Sequence, residues 1–231
     1  MQIHGLNKTT LLDYPGHVAA TIFLGGCNFR CPFCHNRDLV LHPSSQPVLS
    51  YSEVLQFLKK RHGILTGVCI TGGEPTLHSD LPKLIKDIKD MGYLIKLDTN
   101  GSDPMMIQSL HLQKLIDFVA MDIKTCPLDY ANVTDVSSVN MDDIYESADY
   151  LMHSGIDYEF RTTVVREFHN AAIFQQIANW IAGSKAYYLQ NFENSDTVIH
   201  KGYHSYSKKE LLSFIDILKP HIEKVSLRGI D

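Results

Sequence analysis

Strand-like and helix-like segments alternate along this chain, and that alternation constrains its fold more than any one motif does. HVAATIFL (17–24), GVCIT (67–71), YLIKLD (93–98), DFVAMDIK (117–124), DYEFRTTVV (157–165), AYYLQN (186–191) and KVSLR (224–228) are β-rich. Between them the pattern predicts helices over 51–63, 80–91, from Pro104 onward, and over about 141–153, 171–182 and 207–219. The first helix shows the logic. Ser50 or Ser52 can cap it, Val54, Leu55, Phe57 and Leu58 form an apolar face, and Gly63 stops it. Repeated strand–helix units imply an α/β fold, with a parallel sheet and helices packed outside it. Six units and a last short strand are too few for a closed eight-stranded barrel. They suit a partial (β/α)6 TIM-like barrel or an open sheet. Loops are expected at 40–50, 125–140 and 192–206. No low-complexity linker divides the chain, so residues 1–231 read as a single domain.

In either architecture the chemistry belongs at the C-terminal ends of the strands. CNFRCPFCHN (27–36) follows the first predicted strand, TGGEPT (71–76) the second and DTNG (98–101) the third. MDIK (121–124) ends the fourth, Arg161 lies late in the fifth, and QNFEN (190–194) closes the sixth. Separate segments therefore converge on one mouth.

Composition excludes several roles. With 21 Lys and Arg against 26 Asp and Glu, the net charge is −5, so no basic field points to nucleic acid or an anionic membrane. The N-terminal MQIHGLNKTTLLDYPG does not read as a signal peptide, and no apolar run reaches the length of a membrane span. A cytoplasmic protein with reduced thiols is expected. Five cysteines, three of them within eight residues, argue for metal or redox chemistry over a disulfide framework.

Thiolates at Cys27, Cys31 and Cys34 suit zinc or an iron–sulfur cluster, and three of them leave either centre one ligand short. Zinc would need His35 as the fourth ligand. Adjacent Cys34 and His35 could not easily point at one tetrahedral centre, and no second CxxC pair is present. A [4Fe–4S] cluster with one iron left open for an outside ligand fits the spacing better. Cys69, inside GVCIT, reads as a small core residue. Cys126 follows MDIK, and the two are too isolated to house a second cluster.

CxxxCxxC with Phe33 before the last cysteine resembles the signature of radical S-adenosylmethionine (radical SAM) enzymes. Its continuation into His35-Asn36, followed by TGGEP, LDTNG and MDIK, resembles the glycyl-radical-enzyme activating enzymes. KTTLLDYPGHVAATIFLGGCNFRCPFCHN, GVCITGGEPTLH, LIKLDTNG and SLRG are similar to the anaerobic ribonucleoside-triphosphate reductase activating proteins, over nearly the whole chain. The resemblance implies a radical SAM core in the form of a partial barrel. It implies that the open iron of the cluster is chelated by S-adenosylmethionine, whose reductive cleavage gives a 5′-deoxyadenosyl radical. That radical would take a hydrogen atom from a glycine of a partner, a glycyl radical enzyme.

The same resemblance assigns residues. Cys27, Cys31 and Cys34 would hold the cluster, with Phe33 and Asn36 beside the cofactor. Gly72, Gly73 and Glu74 would meet the methionine ammonium. Lys124 and Arg161 would face the cofactor, and Gln190, or else Asn191, would stand where a relative has a histidine. Asp98, Thr99 and Asp122 are candidate ligands of a monovalent cation (Na+ or K+), with Asp98 and Asp122 also near the cofactor. A pairing of Asp122 with Lys124, or a salt bridge of Arg161 at the sheet end, is the purely structural alternative. The implied partner is the anaerobic ribonucleotide reductase, with flavodoxin or ferredoxin supplying electrons. The alternatives are a pyruvate formate-lyase type activase, or an enzyme of small molecules resembling 7-carboxy-7-deazaguanine synthase.

Overall fold

The computed structural model describes residues 1–229 and gathers eight strands into one sheet, ordered β1 to β8 as in the sequence. The seven expected strands are β2 (Ala19–Leu24), β3 (Gly67–Gly72), β4 (Leu94–Thr99), β5 (Phe118–Asp122), β6 (Asp157–Val164), β7 (Ala186–Asn191) and β8 (Lys224–Arg228). Each pairs in parallel with the next. β1 (Ile3–Thr10) was not expected, and it pairs antiparallel with β2. Only its end residues, Ile3 and Thr10, are buried, and its register slips twice. IHGLNKTT therefore lacks the apolar alternation by which a strand is read. β1 and β8 are the two edges, so the barrel is partial.

The strands alternate between two environments, as a period of two requires. Val68 and Ile70, Ile95 and Leu97, and Val119 and Met121 are fully buried on one face. The other face carries Cys69, Lys96, Asp98, Asp122, Glu159 and Arg161, pointing into the barrel. The longer helices cover the first face: α2 (Tyr51–Arg61), α3 (Leu81–Lys89), α4 (Pro104–Leu112), α6 (Met141–His153), α7 (Ala171–Trp180) and α8 (Lys208–Leu218), while the short α1 (Arg37–Leu41) and α5 (Tyr130–Thr134) bond to the loop after β2. Ser50 caps α2 in a reciprocal box with Glu53, and Gly63 follows at φ +81°.

Two of the expected loops differ. Residues 125–140 hold a 3-10 turn (Pro127–Asp129) and α5, because Tyr130 is buried beneath the end of β5. The region 40–50 begins inside α1 and contains a short 3-10 turn (Pro43–Ser45). All four elements are too short to give a periodic signal. The stretch 192–206 is irregular, as expected. It folds over the cysteine loop, with Ile199 N–H donating to the Cys34 carbonyl (3.2 Å) and His200 N–H to that of Pro32 (2.8 Å).

Candidate active site

One cavity of about 240 Å3 opens at the C-terminal ends of the parallel strands. The loop after β2 forms one wall. Its backbone is held from several sides: Gly26 N–H donates to Leu39 O (2.8 Å), and Arg30 N–H to Thr134 O (2.8 Å). The Arg30 guanidinium donates to the carbonyls of Cys27 and Phe29 (2.5 and 2.8 Å). Cys27, Cys31 and Cys34 all border the cavity, and all are unpaired thiols. Burial pushes these thiols up, Cys27 to about 11 and Cys31 to about 12. Phe29 N–H points at Cys27 Sγ (3.4 Å), and the Asn100 amide lies 3.9 Å from the same sulfur. Donors aimed at a sulfur suit a ligating thiolate.

His35 does not complete a zinc tetrahedron. Its Nδ1 is 3.3 Å from Ser195 Oγ, and its ring packs against Phe192. Among the described residues, no three His, Cys, Asp or Glu side chains surround a single ion position.

The second wall is the turn after β3. Gly72 has φ +126°, and a Cβ there would lie 2.1 Å from Leu24 O. A Cβ on Gly73 would lie 1.9 Å from Gly26 O. Both glycines thus permit backbone-to-backbone contact with the cysteine loop, closed by Gly73 N–H to Leu24 O (2.8 Å) and Glu74 N–H to Gly26 O (2.7 Å). Asn36 adds a third tie, donating from Nδ2 to Gly72 O (2.7 Å). Glu74 lines the cavity but is only 1% exposed, and both its oxygens are engaged. Oε1 accepts from Thr76 N–H (3.1 Å), Thr76 Oγ1 (2.7 Å) and Thr99 Oγ1 (2.7 Å), and Oε2 accepts from Asn100 N–H (2.6 Å). Burial raises its pKa, against the pull of these donors. Glu74 is therefore a clamp on the end of β4.

The floor is a charged row. Arg161 bridges two carboxylates, Nη1 to Asp98 Oδ2 (3.1 Å) and Nε to Asp122 Oδ1 (3.0 Å). Lys124 Nζ takes Asp122 Oδ2 (2.9 Å), and Lys96 Nζ pairs with Asp98 Oδ1. Burial would raise the Asp122 pKa, but Arg161 and Lys124 outweigh it and hold the group at about 2. Asp98 is likewise lowered, with burial overcome by Arg161 and Lys96. The structural alternative for Asp122, Lys124 and Arg161 is thus realised, and all three also line the cavity. The oxygen set expected for a monovalent cation differs from the arrangement found. Asp98 and Asp122 face side-chain cations, and Thr99 is turned to Glu74.

Phe33 and Gln190 border the cavity. Asn191 does not. Its amide exchanges hydrogen bonds with the Tyr206 backbone and pins the 192–206 segment. Cys69 lies inside the barrel, 3.9 Å from Lys96 Nζ, and Cys126 is buried before the turn at 127–129. Asn100, Thr71 and Thr163 also line the cavity and were missed, although Asn100 and Thr71 lie within the quoted motifs DTNG and TGGEPT. Lys96 was missed as well. Its signal was a lysine in the middle of an apolar strand.

Three thiols on a loop pinned to a glycine turn, facing a row of fixed cations, fit an iron–sulfur cluster and an amino-acid carboxylate. Comparison with known proteins agrees. Residues 21–181 match the model of the Radical SAM superfamily. A protein of Methanocaldococcus jannaschii, provisionally named a glycyl-radical enzyme activating enzyme, is 30% identical over 237 residues, covering 99% of this chain and 96% of its own. The pyruvate formate-lyase-activating enzyme of Staphylococcus aureus is 30% identical over 132 residues, 53% of this chain and 52% of that one. The 7-carboxy-7-deazaguanine synthase of Neisseria meningitidis is 33% identical over 111 residues, 48% of this chain and 46% of that one. Among solved structures, Streptococcus suis SuiB superposes with a TM-score of 0.69 at 15% identity, over 90% of this chain and 48% of SuiB. The anSMEcpe structure with bound AdoMet superposes at 0.60 and 18% identity, over 89% of this chain and 62% of that one. The family implies S-adenosylmethionine and a [4Fe–4S] cluster, and the three cavity thiols are the donors such a cluster needs. By the family match and the full-length relative, the chain belongs to the radical SAM superfamily, alongside the glycyl-radical enzyme activating enzymes.

Proposed function

We propose that this protein is an activase that takes the α-hydrogen from a glycine of a glycyl radical enzyme, the anaerobic ribonucleotide reductase. The observation that supports it most is the match to the M. jannaschii activating enzyme along essentially the full length of both chains. When bound, the cluster and S-adenosylmethionine supply the one-electron chemistry for removing a hydrogen atom. The chain's own residues hold and orient. Cys27, Cys31 and Cys34 supply thiolates, and Asn36, Gly72, Gly73 and Glu74 fix the loop that carries them. Lys124 and Arg161 offer positive charge to a carboxylate, while Asp98 and Asp122 hold those two cations in place. Phe33 and Gln190 shape the cavity wall.

Glycine suits this chemistry, because the backbone radical it leaves is stabilised by both flanking peptide groups. We assign residues 1–231 to one domain working in the anaerobic cytoplasm. A separate flavodoxin or ferredoxin delivers the electron, since Cys69 and Cys126 are buried and too isolated in sequence to house a second cluster.

The test is to mix the anaerobically reconstituted protein with S-adenosylmethionine, a reductant and each glycyl radical enzyme of the same source. A glycyl doublet in the electron paramagnetic resonance spectrum is expected with the ribonucleotide reductase. The doublet on a pyruvate formate-lyase instead would reassign the partner. The similarity to the deazaguanine synthase supplies a second reading, an enzyme of small molecules. If 5′-deoxyadenosine accumulates with a metabolite while no partner gains a radical, that reading replaces the first.

A further inference from the structure

Lys96 stands in the apolar strand YLIKLD, and its side chain is only 1% exposed. It shares a strand face with Asp98, one step deeper in the barrel. Its ammonium reaches Asp98 Oδ1, while Asp98 Oδ2 receives Arg161. The other buried carboxylate on this side, Glu159, is taken up bidentately by Arg228 (2.6 and 2.8 Å). Among the described residues, Lys96, Lys124 and Arg161 therefore form their ion pairs with Asp98 and Asp122. A metal ion added between these two carboxylates would crowd a guanidinium that already bridges them, adding like charge where little water screens it. The threonine hydroxyl that could join such an ion is committed to Glu74.

We propose that Lys96 is a positioning residue that serves as a built-in cation: through Asp98 it holds Arg161 in register for the cofactor, in place of Na+ or K+. The inference rests on the S-adenosylmethionine site proposed above and not on which partner is activated. Binding is measured without a partner, so a wrong partner leaves this test untouched.

The experiment is calorimetric titration of S-adenosylmethionine into anaerobically reconstituted, unreduced protein. Potassium, sodium and tetramethylammonium chloride are compared at equal ionic strength. Wild-type affinity should agree within about twofold across the three salts. Lys96→Met, which keeps the bulk and loses the charge, should bind roughly tenfold more weakly in tetramethylammonium and recover in potassium or sodium. A wild-type protein that loses affinity when both metal ions are withheld overturns the proposal, whether or not the variant folds. So does a variant equally weak in every salt, which would make Lys96 merely structural, or one that matches wild type without metal ions.

Discussion

Glu74 and the pair Asp98–Asp122 are carboxylates at neighbouring strand ends of one cavity, held by opposite means. Glu74 is surrounded by four neutral donors from Thr76, Thr99 and Asn100 and, among the described residues, forms no salt bridge. Asp98 and Asp122 have hardly any neutral company and are ion-paired with Lys96, Lys124 and Arg161. The neutral side ties one piece of backbone to another, the glycine turn to the cysteine loop and to the end of β4. The charged side leaves cations exposed to the cavity. One half is built to hold a loop still, the other to present charge.

The largest effect that separates the halves should come from Arg161→Met. It removes a guanidinium bonded to both carboxylates and leaves each with one lysine, at a cost of about 3 kcal/mol. For a chain of this length, that lowers the melting midpoint by roughly 6–12 °C. Glu74→Gln should cost about 2 kcal/mol, because an amide nitrogen then faces a donor. The two deficits should depend on pH in opposite directions. The lowered pKa of Asp122 stabilises the fold above its ordinary value of 3.8, and that gain is lost as pH falls through about 2. The Arg161→Met deficit should therefore grow as pH rises from acid toward 5 and then level. The raised pKa of Glu74 stabilises the fold below 4.5, and this is lost as pH rises through the folded value. The Glu74→Gln deficit should shrink on going from acid to neutral pH. Urea melts of both variants across that range check the comparison, and parallel slopes would break it.

How much of this was legible in the sequence follows the same division. All seven parallel strands could be read because each is apolar and β-rich, and the cysteines, GGE and MDIK could be placed because they end those strands. β1 was illegible, since its middle residues, Asn7 to Thr9, face water and carry no alternation. Side-chain direction at the site was the harder part. The sequence shows a glutamate after two glycines, but not that four donors converge on it from Thr76 and from the end of β4. It shows Asp98 and Thr99 side by side, but strand geometry sends neighbours to opposite faces, so the two end in different networks. Lys96 could have been read from that same rule, two residues before Asp98 and hence on its face.

The smallest effect sharpens the contrast most. Three hydrogen bonds tie the cysteine loop to the glycine turn, from Gly73 N–H, Glu74 N–H and Asn36 Nδ2. Asn36→Ala removes one, so about 1 kcal/mol should be lost while the loop keeps its course. Iron and sulfide bound after reconstitution should match wild type, with only the rate of iron loss to a chelator rising. A joint made of several neutral bonds yields gradually, whereas the charged row turns on the single guanidinium of Arg161. If Asn36→Ala lowered stability as far as Arg161→Met does, the neutral half would be no more redundant than the charged one, and the division drawn between them would fail.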